Sequence, residues 1–124
     1  HQGCCEQAER AIGALEALGE APAIQGEAAL LRAGLAHLRG GRDAARAHLD
    51  DADRHFLAAG MSTAQAVVML RCGDLTQGAA GQVLRARGRQ RLRSEGISEP
   101  DEWAAAFAPG FGEPARLIRG PLAA

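Results

Sequence analysis

Residues 23–59 read AIQGEAALLRAGLAHLRGGRDAARAHLDDADRHFLAA, two apolar stripes on either side of a Gly-Gly pair. In the first half Ile24, Ala28, Leu31, Leu35 and Leu38 step by four, three, four and three. In the second half Ala45, Leu49, Ala52, Phe56 and Ala59 repeat that step. Such spacing puts each set on one face of a helix with a 3.6-residue period. Gly40 and Gly41 end the first helix, because glycine takes the left-handed cap at little cost. Asp43 is placed to cap the second through its side-chain oxygen. Helices over 23–39 and 44–59, joined by so short a link, form a helical hairpin.

The same reading extends outward. Ala8, Ala11, Ile12, Leu15 and Leu18 predict a first helix over 4–18, closed by Gly19 and Pro22. Ser62 or Thr63 starts a fourth helix that runs to Cys72, and its apolar run at 66–70 predicts burial on several sides. Residues 73–81 read as a loop. A fifth helix over 80–95 has a weak face of Val83, Leu84, Gly88 and Leu92. Ser98-x-x-Asp101 resembles a capping box for a sixth helix over 99–107, which Ala108-Pro109-Gly110 stops. No segment alternates with a two-residue period. The expected fold is all-α, a right-handed stack of about three helical hairpins with six helices. One domain spans 1–112, and a tail at 113–124 is expected to be loose apart from one turn at 116–119.

Composition bounds the chemistry. The chain has 124 residues, about one domain. Ala supplies 28 of the 58 hydrophobic residues, so the core must be thin and its helices close. There is no Lys, Asn or Tyr, and all 14 basic residues are Arg. A GC-rich coding sequence explains that bias. It nonetheless excludes a P-loop Lys, a protein-kinase phosphate-binding Lys, an S-x-x-K hydrolase and a Schiff-base Lys. The net charge of −1 gives no global attraction to nucleic acid or anionic membrane. No apolar run approaches the roughly 18 residues of a membrane span. The opening residues 1–16 are acidic and Gly-interrupted, unlike a signal peptide. Cys4, Cys5 and Cys72 are an odd set, which points to reduced thiols and a cytoplasmic setting. An opening on His1 rather than Met is expected of a fragment or of a processed or trimmed chain.

Helices two and three make a unit of about 34 residues, the tetratricopeptide period. Ala45-x3-Leu49-x2-Ala52 matches the small–large–small signature of that repeat's second helix. A second likeness lies downstream, in Gly73-Asp74-Leu75, Gly78, Gly81, Leu84, Leu92, Gly96-Ile97, Pro100 and Ala108-Pro109-Gly110-Phe111. In order and spacing this stretch resembles the C-terminal tetratricopeptide-type region of large bacterial multidomain serine/threonine kinase–ATPase signalling proteins. The likeness covers roughly residues 28–112. It departs from the family at Arg87, Arg89 and Arg91, where acidic and aromatic residues are usual, and at Glu99, where Asn is usual. The resemblance implies an interaction or regulatory segment that helps hold a neighbouring kinase or ATPase module inactive. The activities of those modules do not carry over, because the modules themselves are not in this sequence.

Candidate residues follow from these faces. A repeat stack binds protein partners, or neighbouring domains of a parent chain, through the concave face lined by the first helix of each pair. Leu30, Arg32, His37 and Arg71 are the candidate surface positions there, and Arg87 and Arg91 are candidate partner-facing residues on the fifth helix. Trp103 and Phe107, one turn apart, are expected to cap the last open face, with an exposed partner anchor at Trp103 as the competing reading. Helix one lacks a polar cap of its own, which leaves a homodimer open. The alternative function is a small nucleic-acid-binding module using Arg85, Arg87, Arg89, Arg91 and Arg93. These lie at about 0°, 200°, 40°, 240° and 80° around a helix, so they split between two sides. No aromatic is interleaved for base stacking, which disfavours nucleic acid.

His48, Asp51 and His55 share a helix face, but the two His lie about 10.5 Å apart along the axis, too far for one ion. Ser62 and Ser94 are outside any G-x-S-x-G elbow. No constellation makes an active site, so the chain is expected to be non-enzymatic, with no cofactor and no metal.

Overall fold

The computed structural model describes residues 2–112. Six helices follow one another: α1 (Gln2–Ala17), α2 (Pro22–Leu38), α3 (Arg42–Ala59), α4 (Ser62–Leu75), α5 (Gly78–Ser94) and α6 (Pro100–Phe107). Among the described residues there is no strand. The predicted tail at 113–124, with its turn at 116–119, lies outside them.

The fold is an all-α hairpin stack. α2 packs on α3 and α4 on α5, and α3 against α4 joins the two hairpins. α1 lies on α2, and the short α6 closes against α4 and α5. Three of the turns, after α2, α3 and α5, use one device. At the end of α3, Gly60 adopts φ +69°, and Met61 N–H reaches back to the Phe56 carbonyl at 2.9 Å. That six-to-one bond satisfies a carbonyl that the helix leaves open. The same bond runs from Gly41 to Ala36 and from Ile97 to Leu92.

Two predicted caps are not formed. Asp43 sits in the first turn of α3, after an N-cap at Gly41, and makes no side-chain cap bond. The N-cap of α6 is Glu99 rather than Ser98, because Pro100 fixes the first helical residue. Asp101 turns away to accept from Arg89 Nε at 2.8 Å.

α4 also runs one turn beyond its expected end at Cys72, so the loop read at 73–81 shrinks to Thr76 and Gln77. Gly73 is a packing glycine, not a break. A Cβ there would lie 2.8 Å from the Arg85 backbone nitrogen of α5, well inside contact distance. Gly81 and Gly88 make the matching approach from α5, against the backbone of residues 73–76 and of Ala66 and Leu70.

The core is thin and close-packed, as an Ala-rich chain requires. Phe56, Leu30, Leu49, Leu92 and Val67 are its largest fully buried side chains, with Ala29, Ala33, Ala45, Ala52, Ala66 and Ala104 between them. Phe56 fits because Gly26 of α2 has no Cβ, which would fall 2.5 Å from the ring. α1 has a smaller contact of its own: Cys5 and Ile12 bury against Leu35, with Ala8 and Leu31 alongside. Ion pairs from Glu9 to Arg39 and from Glu16 to Arg32 flank it. Exposed pairs of this kind contribute little to stability. The opposite side of α1 is open, with Gln7, Ala11, Ala14 and Leu18 exposed.

After α6 the chain does not leave the body. Residues 108–112 cross α2 at Gly34, where backbone meets backbone. A Cβ on Gly34 would overlap the Pro109 carbonyl oxygen, and one on Gly110, at φ +103°, would lie 2.8 Å from the Gly34 Cα. Gly34→Ala is therefore expected to lose about 2–4 kcal/mol, as severe overpacking does. Gly13→Ala, in α1 with nothing within 4 Å of the new methyl, should gain about 0.5–1 kcal/mol. Urea unfolding of the two variants beside the parent chain checks both signs.

Candidate protein-interaction surface

The face expected to meet a partner, carried by α2 and α4, is covered by the chain's own segment 108–112. Leu30 is 1% exposed and Arg71 4%, so neither is a surface position. Their place on a helix face follows from periodicity, but what lies over that face is set by a segment remote in sequence. Arg71 donates from Nε to the Ala108 carbonyl at 2.9 Å and from Nη2 to the Ala104 and Ala108 carbonyls at 3.0 and 2.7 Å. Its Nη1 meets Asp74 Oδ2 at 2.9 Å. These carbonyls form the C-terminal end of α6, where a cation is favoured by the helix dipole. Burial pulls the guanidinium below its ordinary pKa, and the bond to Asp74 pulls it back. An arginine remains charged through such a shift.

Phe111 completes this clasp. The Arg71 guanidinium carbon lies 4.8 Å from its ring centre, and His37 stacks on it at 5.2 Å with a 17° tilt. His37 Nδ1 donates to the Gly110 carbonyl at 3.0 Å. Arg32, the fourth candidate on this face, pairs with Glu16 of α1 at 3.1 Å. In the sequence Phe111 and Asp74 stand out only as motif residues, with no role in a site. The available signal was Arg71 with Asp74 three residues on, the two charges of an otherwise uncharged helix.

The arginines of α5 take several separate jobs. Arg85 Nη1 donates to the Gly73 carbonyl at 2.7 Å, and Arg89 holds Asp101. Arg91 lines a groove of about 310 Å³ floored by Val68, Met69 and Leu84, opposite Asp50 and Asp53 of α3. Arg87 and Arg93 are exposed. The five make no single basic face. Cys72, in the same groove, has its thiol pushed up to about 11, mainly by burial, so it stays protonated and unreactive near neutrality. On α3, Asp51 receives Arg54 at 2.8 Å and lies 3.6 Å from His55. Among the described residues no group of three His, Cys, Asp or Glu could hold a metal ion. Nor, among them, is any helix long and apolar enough to cross a membrane.

The other end of the stack is closed, but not by the indole. Trp103 is 43% exposed, so it does not seal the last face as expected. The sealing is done by Ala104, Ala105, Ala108 and Phe111, with Phe107 half-buried against the core. Small residues suffice because Arg71 draws the end of α6 down onto α4. Phe107 meets the buried Phe56 at 6.2 Å, and Trp103 stacks parallel on Phe107 at 6.5 Å. A line of three rings thus runs from core to surface, fixing the indole from below. Two clefts share that indole as a wall. One, of about 280 Å³, lies toward Met61, Ser62 and Thr63 at the start of α4. The other, of about 450 Å³, lies toward Ile97, Glu99, Glu102 and Ala106.

Glu95 braces this end. It accepts from Ser62 Oγ at 2.6 Å and Thr63 Oγ1 at 2.7 Å, and those bonds hold its carboxyl below the usual pKa. Comparison with protein-family models, with curated proteins and with solved structures finds no match.

Two outcomes follow. Arg71→Met takes the guanidinium from the half-buried Asp74 and from the Ala108 carbonyl, and should cost about 3 kcal/mol in urea unfolding. Glu95, with its folded pKa depressed, contributes stability above its unfolded pKa that is lost as pH falls through the folded value. Melting midpoints followed downward from neutral pH should therefore fall less steeply for Glu95→Gln than for the parent chain.

Proposed function

We propose that this chain is a protein-interaction module of the tetratricopeptide type, part of a larger bacterial cytoplasmic signalling protein, and that it docks partners at the α6 edge around Trp103. The observation that carries the reading is the exposed indole itself. Large aromatic side chains at a surface are held there against the hydrophobic effect, and Trp is among the residues most enriched at binding hot spots. Here the ring is pre-positioned by Phe107 and flanked by clefts on both sides. A rigid anchor loses little entropy when a partner covers it. The helical hairpins supply the frame, as repeat stacks do. The period of residues 23–59 and the motif resemblance over residues 28–112 support the tetratricopeptide and signalling assignments.

A random 12-residue peptide library selected on the whole chain tests the docking edge. Selected peptides should lose about 30-fold in affinity on Trp103→Ala, the effect of a hot-spot anchor worth about 2 kcal/mol. The variant should melt at the parent temperature, because the core beneath is sealed without the indole. Peptides that bind parent and variant alike, or a library that yields no binder, would overturn the reading.

A further inference from the structure

Resting on the docking edge just described, we propose that the partner segment is basic and presents an arginine or lysine to the cleft between Trp103, Glu99 and Glu102. The cleft has the parts that a long cationic side chain needs. Ile97 and Ala106 offer apolar surface to its methylene stem. Trp103 offers a ring face to its charged head, and Trp is the strongest aromatic partner for a cation. Glu99 and Glu102 stand at the rim with the opposite charge.

The carboxylates are not accounted for by the fold alone. Asp101, between them in sequence, is committed to Arg89 at 2.8 Å. Glu99 occupies the N-cap position of α6 yet makes no side-chain cap bond. Glu102 lies in the first turn, where a negative charge suits the helix dipole, but it also lines the cleft. Ser62 and Thr63, which line the cleft on the other side of the indole, are bonded to Glu95, whose charge also feels Arg91. The cleft between Trp103, Glu99 and Glu102 thus carries two carboxylates and no cation among its described lining residues, whereas Arg89 is neutralised by Asp101 and Arg91 lines the groove between α3 and α5. An acidic partner would meet repulsion at this edge, and a neutral one would leave the two rim charges unused.

Trp103 is the only Trp in the sequence, so its fluorescence reports this site alone. The probes are the Trp103-dependent peptides from the 12-residue library, each remade with every Arg replaced by citrulline and every Lys by Gln. The parent peptides are expected to be rich in Arg or Lys and to perturb the emission of Trp103. Their neutral analogues should bind about 10-fold more weakly. The double variant Glu99→Gln, Glu102→Gln should weaken the basic peptides by a similar factor and flatten the salt dependence of their binding. Trp103-dependent peptides without basic residues, or neutral analogues that bind as tightly as the parents, would overturn the inference and leave the docking edge standing. So would full affinity in the double variant. A library that yields no Trp103-dependent peptide removes the docking edge, and this inference with it.

Discussion

The buried guanidinium of Arg71 is the constraint on which the upper half of this fold depends. Taking a charged arginine out of water costs several kcal/mol unless its donors are matched. Among the described residues they are matched by the Asp74 carboxylate and by the Ala104 and Ala108 carbonyls at the end of a short helix. An eight-residue helix is far too short to be stable alone. It is held because its first turn carries acidic residues, its last carbonyls meet Arg71, and Phe111 closes beneath the same guanidinium. The segment 108–112 is thereby pinned across α2 and α4. The glycine-on-glycine crossing at Gly34 and Gly110 lets it lie close enough for His37 to stack and bond.

Periodicity made most of the helical frame legible. The repeated four–three steps in residues 23–59 located a hairpin, and the apolar run at 66–70 located the buried α4. What periodicity ranks by size, however, close packing ranks by distance. On α2 the leucine stripe read from the sequence includes half-buried Ile24, Leu31 and Leu38, whereas Ala29, Ala33 and Gly34 are fully enclosed. Small residues go inside here because neighbouring backbones come close. For the same reason Gly73, which looks like a helix end, is a point where α4 and α5 touch.

The cover over α2 and α4 was harder to read, and the cause is non-local. Leu30, His37 and Arg71 do share a face, but its cover comes from residues more than 30 positions away from any of them. A buried Arg and a solvent-facing Arg look the same in a single sequence. The distinguishing hint, a lone Arg and Asp pair in an otherwise uncharged helix, has no periodic signature. The Arg run on α5 misleads in the opposite way. It reads as one basic feature, yet Arg85 and Arg89 are each tied to a structural partner, one on α4 and one on α6.

Covering the α2 and α4 face has a consequence for where recognition can occur. A stack of hairpins ordinarily offers the surface of its first helices, and here that surface is occupied by the chain itself. Apolar side chains of hot-spot size then remain exposed at few described positions: Leu18, Leu57, Val83 and Trp103. Leu18 and Leu57 sit near the ends of α1 and α3, and Val83 lies on α5. Trp103 alone of the four combines exposure, a fixed ring plane and cleft walls on both sides. The clasp that closes one face is thus also what sets the indole on the other. Arg71 draws α6 onto α4, Phe107 lodges against Phe56, and the ring one turn earlier is left pointing to solvent on a rigid support.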